Sequence, residues 1–333
     1  MKKLLLVSAY TSPFIQTDQK ILSRHYLVKH VGIQKHKKNP FSYLLLVFTL
    51  GWEVFHTDIV YCWFSDFRAR AAVFYAKLFG KRSLVLVGGY ELQNYALEGD
   101  SIGNLKYVSH LRYCLQNADI VAALSDFYRQ KLESLNIRNK CELHTLYIAV
   151  PSPSLPKILN KHNLVITVCA GDTEKRIRIK GIDVFVKTAA LLPQVEFAII
   201  GPGRHLAEAI KRLITSENVK IIPPLSSAEL AEYYLSARIY CQFSRFESFG
   251  SAVVEAMMCQ CLPVVSDIPA LRERVDKFGL ILKDWDEHLG AELIAEALKA
   301  EPDKTREAAE WVKSMFSIES KEQELLNILA KWE

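Results

Sequence analysis

Residues 241–266 read CQFSRFESFGSAVVEAMMCQCLPVVS. Glu247 stands in a polar break, and Glu255 stands in an otherwise apolar run from Gly250 to Met258. Ala252, Val253, Val254, Ala256, Met257 and Met258 spell a buried helix, where a carboxylate without a partner is costly. Glu255 is therefore expected to hold something. The helix opens at Phe249-Gly250-Ser251, where free backbone N–H groups and the positive end of the helix dipole favour an anion such as a phosphate. Strand-like runs flank it at Ile239–Phe243 and Leu262–Val265, so the stretch reads as strand, helix, strand, the repeating unit of a parallel sheet. A carboxylate suited to a polyhydroxyl group and a helix start suited to a phosphate together make a site for a nucleotide sugar.

Working outward, short β-branched runs alternate with helix-length amphipathic segments along nearly the whole chain. The first half yields strands at Leu4–Ala9, Ile59–Trp63, Ser83–Val87, Ile120–Ala123 and Leu143–Tyr147, with helices at Arg68–Phe79 and Asp126–Leu135. The second half yields strands at Leu164–Ala170, Glu196–Ile200, Val219–Ile222, Ile239–Phe243, Leu262–Val265 and Leu280–Leu282. Helices fall at Gly181–Leu192, Arg204–Thr215, Ala228–Ser236, Gly250–Gln260 and Glu287–Ala300. The tract from Pro151 to Pro156 carries three prolines in six residues and reads as a linker. The expected organisation is a Rossmann-like domain over 1–157, a second over 158–316, and a terminal helix over 317–333. The fold class is α/β, with two doubly wound parallel sheets whose carboxyl edges hold ligands.

The length of 333 residues exceeds one ordinary core and suits two domains. Half the residues are hydrophobic and 24% are charged, the composition of a globular protein. The net charge of +5 is unevenly placed: residues 1–157 hold 20 Lys+Arg against 11 Asp+Glu. Lys2, Lys3, Lys20, Arg24, Lys29, Lys35, Lys37 and Lys38 all precede residue 45, opposed only by Asp18. Such a face suits anionic lipid or an acidic glycan as well as plain solvent, and no nucleic-acid-binding motif accompanies it. Seven scattered cysteines suggest reduced, buried thiols and a cytoplasmic address. Cys259 and Cys261 lack the further ligands that a tetrahedral metal site needs. The run Leu4–Val7 is too short for a signal peptide, and Tyr43–Leu50 falls far short of the ~20 residues that span a bilayer. Any membrane contact is expected to be peripheral.

Other segments could carry chemistry. Lys180-Gly181 follows a loop, GDTEKRIRI, containing Lys175, Arg176 and Arg178; cations at a strand end beside a helix start suit a diphosphate. Gly201-Pro202-Gly203 would let backbone approach a ligand closely. It is no dinucleotide fingerprint, because Leu206 stands where a third glycine belongs. The first strand ends in Ser8-Ala9-Tyr10 without any glycine, which argues against a nicotinamide dehydrogenase. Tyr90 and Glu91 follow two glycines at a strand end and are candidates for holding an acceptor. His110 and Arg112 sit on a helix that could face the ligand, while Trp63, Phe64 and Phe67 read as core or interface.

Glu247 and Glu255, with seven residues between them and followed by Leu-Pro-Val-Val-Ser, together with Lys180-Gly181, Gly201-Pro202-Gly203 and SRFESFG, resemble the donor-binding signature of the family-4 retaining glycosyltransferases with the GT-B fold, a resemblance that implies that the terminal helix over 317–333 crosses back onto the first domain. Over the first half the resemblance is architectural, with Ala118 to Asp126 the best local match. It implies that Glu255 binds the nucleotide ribose and that Glu247 contacts the donor sugar near the reacting carbon. Phe249, Gly250 and Ser251 would offer backbone N–H groups, and Lys180 would hold the diphosphate with an arginine. That arginine is Arg176 or Arg178, with Arg178 slightly favoured. The implied reaction moves a hexose from a nucleoside diphosphate sugar to an acceptor hydroxyl with retention, the leaving phosphate helping to take the acceptor proton, without metal or cofactor. The pattern departs from the family where Gly-Arg is usual, at Gly171-Asp172, and where His-Asp is usual, at Gly88-Gly89-Tyr90-Glu91. An epimerase of similar architecture and a non-catalytic nucleotide-sugar scaffold are the rival readings.

Overall fold

The computed structural model describes residues 1–32, 40–88, 91, 105–135, 137, 141–153 and 161–332. Tyr90, Lys35, Lys37, Lys38 and the part of the proline linker beyond Pro153 lie outside them. The chain forms two compact units: Met1–Ala149 with Ile318–Glu333, and Val150–Ser317.

The first unit runs β1 (Lys3–Ser8), α1 (Pro13–Leu22), β2 (Leu27–Gly32), α2 (Pro40–Phe55), β3 (Ile59–Trp63), α3 (Phe67–Leu78), β4 (Arg82–Val87), α4 (Leu105–Asn117), β5 (Ile120–Ala123), α5 (Asp126–Ser134) and β6 (Glu142–Thr145). Its six strands pair in parallel in the order β2-β1-β3-β4-β5-β6. Leu5, Val7, Val60, Cys62, Val85 and Val121 on the strands pack against Val73, Ala76, Leu111 and Leu115 on α3 and α4. Helices begin where capping side chains stand: the Asp66 carboxylate accepts from the Arg68 and Ala69 amides, and Ser125 Oγ accepts from the Tyr128 amide. The segment YTSPFIQTD turns helical at Pro13, because Ser12 caps the helix and proline suits its first turn. β2 escaped the sequence reading because its residues, LVKHVG, are half-buried or exposed at the sheet edge and include Lys29 and His30.

The second unit runs β7 (His162–Gly171), α6 (Lys175–Ile179), α7 (Ile182–Ala190), β8 (Glu196–Pro202), α8 (Arg204–Lys211), β9 (Val219–Ile222), α9 (Ser227–Ser236), β10 (Ala237–Gln242), α10 (Ser251–Met258), β11 (Leu262–Ser266), α11 (Pro269–Val275), β12 (Leu280–Leu282), α12 (Glu287–Ala297) and α13 (Pro302–Phe316). Its strands also pair in parallel, in the order β12-β11-β10-β7-β8-β9. Val165, Cys169, Phe197, Ile199, Cys241 and Val264 meet Phe185, Leu206, Ile210 and Ile294 in one core. The cation-bearing GDTEKRIRI segment is partly helical, as α6, rather than a loop throughout.

The last helix, α14 (Ile318–Leu329), belongs to the first unit and buries Lys321, Leu325, Ile328 and Leu329 there. Lys321 explains how an amphipathic helix is fastened in register. Its Nζ lies 3.8 Å from Asp18 Oδ2 and donates to the Tyr147 carbonyl at 2.7 Å. Asp18 also accepts from Tyr61 OH at 2.6 Å and from Trp63 Nε1 at 2.9 Å. Counted from the sequence as a surface charge facing the basic cluster, Asp18 is in fact buried on α1. Burial pushes its carboxyl up and the Lys321 ammonium down, while their mutual attraction opposes both shifts.

All seven cysteines are free, six of them buried and Cys141 half-buried. Among the described residues no helix is long and apolar enough to cross a membrane.

Candidate functional site

In the second sheet the chain runs outward from β7 through β8 and β9, then restarts on the other side of β7 with β10, β11 and β12. The order thus reverses between β7 and β10, and such a switch point opens a crevice at the carboxyl ends of the two strands. The segments leaving those ends carry Lys180 and Glu247.

Gly181 brings the two together. It caps α7 at φ +67°, and a Cβ there would lie 1.9 Å from the Phe243 carbonyl oxygen, so no other residue fits. That close approach sets Lys180 against the turn after β10, where its Nζ meets Glu247 Oε1 at 2.5 Å; the two side chains are 20% and 13% exposed. The same Glu247 oxygen accepts from Ser244 Oγ at 3.0 Å. Ser244 in turn accepts from Gln242 Nε2, and Gln242 Oε1 accepts from Tyr240 OH, both at 2.6 Å. A file of hydrogen bonds thus runs from the core to Glu247 and fixes its position. Arg245 latches the turn to the preceding helices: its amide donates to the Ile179 carbonyl, and its guanidinium to the Arg178 carbonyl and to both Asp183 oxygens at 2.9 Å.

The remaining cations separate by position. Arg176 lies across Gly171, whose Cβ would meet its Nε at 2.4 Å. Both Arg176 and Lys180 act on the Cys169 thiol: burial pushes it up to about 11, and the two positive charges pull it back only in part. Arg176 therefore shares its surroundings with Lys180. Arg178 is exposed and contributes its backbone carbonyl to Arg245, so the slight sequence preference for Arg178 finds no geometric support.

Gly201 bends the chain near the end of β8 at φ +95°, and Gly203 gives close approach, but to a protein atom. A Cβ on Gly203 would meet Asp172 Oδ1 at 2.6 Å, and that oxygen accepts from the His205 and Leu206 amides. The start of α8 is thereby already satisfied by Asp172.

Gly250, at φ +87°, turns the chain into α10. Just before it, the Phe249 carbonyl accepts from Arg274 Nε at 3.1 Å, and the buried guanidinium stacks on the Phe249 and Phe316 rings. Along α10, Val253, Val254, Ala256, Met257 and Met258 are buried, whereas Ser251 is exposed and Glu255 half-buried. Ser251 and Glu255, four apart, share the helix's open stripe. The sequence reading sank Glu255 in the core; the structure sets it at the core's edge. Tyr234 OH donates to Glu255 Oε2 at 3.0 Å, and Lys161 fixes the ends of α9 and α10 by donating to the Tyr234 and Cys259 carbonyls. Burial raises the Glu255 carboxyl above its ordinary range, and the Tyr234 hydrogen bond opposes that. Sequence reading missed Tyr234, Arg245 and Asp183, since only the fold joins them to the site.

In the first unit, Glu91 is 2% exposed, and its Oε1 accepts from the Ser65 amide at 2.9 Å and the Gly88 amide at 3.4 Å. It knits the ends of β3 and β4, and burial raises its carboxyl despite those bonds. Tyr90 lies outside the described residues. His110 packs edge-on to Phe67, Arg112 is exposed, and Trp63 lies in the core. Among the described residues no group of three or more His, Cys, Asp or Glu side chains is placed to hold a metal ion.

Residues 155–313 match the family model "Glycosyl transferases group 1". The chain is 27% identical over 151 residues to D-inositol 3-phosphate glycosyltransferase 1 of Catenulispora acidiphila, covering 40% of this chain and 35% of that one. It is 24% identical over 190 residues to O-antigen chain mannosyltransferase B of Escherichia coli, covering 51% and 49%. The chain thus spans half or less of the length of these curated relatives. Among solved structures, Anabaena Alr3699/HepE in complex with UDP and glucose superposes with a TM-score of 0.76 at 14% identity, covering 99% of this chain and 100% of that one. The chain has the GT-B fold, and its second unit matches the glycosyl transferases of group 1.

Proposed function

We propose that this protein is a retaining glycosyltransferase that moves a hexose from a nucleoside diphosphate sugar to an acceptor hydroxyl, in synthesis of a cell-envelope polysaccharide, lipopolysaccharide or glycolipid. The observation that carries this reading is the Lys180–Glu247 pair at the switch point, with Arg176 packed against Gly171 at the end of β7 and α10 opening in the same unit. The group 1 match over this unit and the UDP and glucose held by the Anabaena structure support the donor class. The curated relatives support the envelope role.

In this reading Glu255 accepts hydroxyls of the nucleotide ribose from the open stripe of α10. Lys180 and Arg176 neutralise the diphosphate, and the N–H groups at Phe249, Gly250 and Ser251 face phosphate or sugar. Before the donor arrives, Lys180 and Glu247 neutralise each other. A diphosphate then draws Lys180 to its own charge and frees Glu247 for the hydroxyls of the transferred sugar. As the bond to the sugar breaks, charge grows on the leaving phosphate, where fixed cations stabilise it most. Two cations and a helix start make a resident metal unnecessary. Gly201 shapes the loop, while Gly203 serves through Asp172. Acceptor contacts fall to the end of β4, where Glu91 fixes the backbone and Tyr90 follows the glycines. Seven free thiols agree with a cytoplasmic setting.

Incubation of the protein with uridine, guanosine and adenosine diphosphate sugars tests the reading. Without acceptor, slow release of nucleoside diphosphate and an unchanged sugar are expected. An epimerised sugar would favour an epimerase, and absence of nucleotide binding a scaffold.

A further inference from the structure

Helix α2, residues Pro40–Phe55, is apolar on two opposite sides. Leu46, Leu50 and Val54 face the first unit's core. At about 100° per residue, Leu44, Leu45, Phe48, Trp52 and Phe55 fall within a single arc of about 100° on the other side, and all five are exposed. Leu45 and Phe48 are each 64% exposed and Trp52 is 67% exposed, values ordinary for lysine and costly for side chains of this kind. The patch continues onto α3, which packs so closely that a Cβ on Gly51 would meet the Tyr75 ring at 2.8 Å. Phe74 on α3 is 50% exposed and lines an open groove with Val47 and Tyr113. A cluster of exposed large apolar side chains of this sort marks an interaction site.

The charges around the helix specify the occupant. Glu53 is the only residue of α2 charged at neutral pH, and Lys29 neutralises it at 2.7 Å. In sequence, Lys35, Lys37 and Lys38 lead directly into the helix, within a first half carrying nine more cations than anions. With Asp18 buried against Lys321, no acidic side chain before residue 45 offsets these lysines at the surface. A helix of 16 residues cannot span a bilayer, but large aromatic and aliphatic side chains on one stripe, preceded in sequence by clustered lysines, suit a helix lying in the headgroup region.

We propose that the outer face of α2 docks the protein on an anionic lipid surface, with Phe48 and Trp52 inserted between headgroups. This goes beyond the donor chemistry and does not depend on it. The test is co-sedimentation with vesicles of phosphatidylcholine alone and of phosphatidylcholine mixed in equal parts with phosphatidylglycerol. The unaltered protein and a Phe48→Ser/Trp52→Ser variant are compared, with nucleotide titration and thermal melting as controls of folding. The expected result is binding to the anionic vesicles only, weakened by added salt, and reduced about tenfold or more in the variant, as loss of two inserted rings should give. Nucleotide affinity and melting temperature should stay unchanged. Equal sedimentation of both proteins, or none by the unaltered protein, would overturn the proposal. So would a dimer, seen by light scattering, that the variant converts to monomer, since the face would then be covered by a second copy. Because the readout is vesicle binding, failure here and failure of the donor assignment are separable.

Discussion

Glu255 is under two opposed demands. A carboxylate at the edge of an apolar core is disfavoured in its charged form, yet the role proposed for it at the nucleotide ribose requires it to accept hydrogen bonds. Its folded-state pKa lies above the ordinary value because of burial, so the contribution it makes to stability is present at low pH and is lost as pH rises through the folded-state value. Glu255→Gln should therefore melt about 1–3 °C higher than the unaltered protein at neutral pH. The difference should close below the ordinary glutamate pKa of about 4, as melting curves across pH would show, while nucleotide affinity falls. At the next site, Lys180→Ala should lower turnover on the order of ten- to a thousandfold, the range for loss of a charged transition-state contact. Arg176→Ala should cost more than Arg178→Ala in the same initial-rate measurements. The sequence exposed Glu247, Glu255 and Lys180 because carboxylates and cations stand out against apolar runs. It hid Tyr234 and Asp183, which read as ordinary polar positions until α9 and α7 are folded beside their partners.

Elements place these residues. The site depends on two strand ends brought side by side and on Gly181 allowing α6 and α7 to press against the Phe243 carbonyl. Gly181→Ala would add strain at φ +67° and a clash at 1.9 Å; a loss of about 2–4 kcal/mol in denaturant unfolding is expected, with weaker nucleotide binding. Central strands were legible in the sequence because both faces are buried and their runs are continuously apolar, as in Ile59–Trp63 and Ile120–Ala123. β2 was not, since an edge strand carrying Lys29 and His30 satisfies neither the apolar-run nor the alternation pattern. α6 was hidden for another reason: five residues held by the Arg245 contacts to its carbonyls form a helix that their own pattern, KRIRI, does not announce.

At the scale of the whole molecule, two doubly wound sheets followed from the alternating patterns, but the fastening of the chain's end did not. The buried Asp18–Lys321 pair holds α14 on the first unit. Lys321→Met would leave Asp18 buried without its counter-charge and should cost about 3 kcal/mol or more in denaturant unfolding. Pairing it with Asp18→Asn should recover most of that loss. A chain ending at Met315 should lose the cooperative melting of the first unit, because Leu325, Ile328 and Leu329 no longer cover it. The central claim concerns the second unit, where Glu255, Lys180 and Glu247 are held ready for a nucleotide sugar. It is tested most directly by calorimetric titration of the unaltered protein and of Glu255→Gln with uridine, guanosine and adenosine diphosphates. The account predicts that one of these nucleotides binds the unaltered protein and binds the variant at least about tenfold more weakly, the loss of a charge-assisted hydrogen bond; equal affinity of the two proteins, or no binding by either, would contradict it.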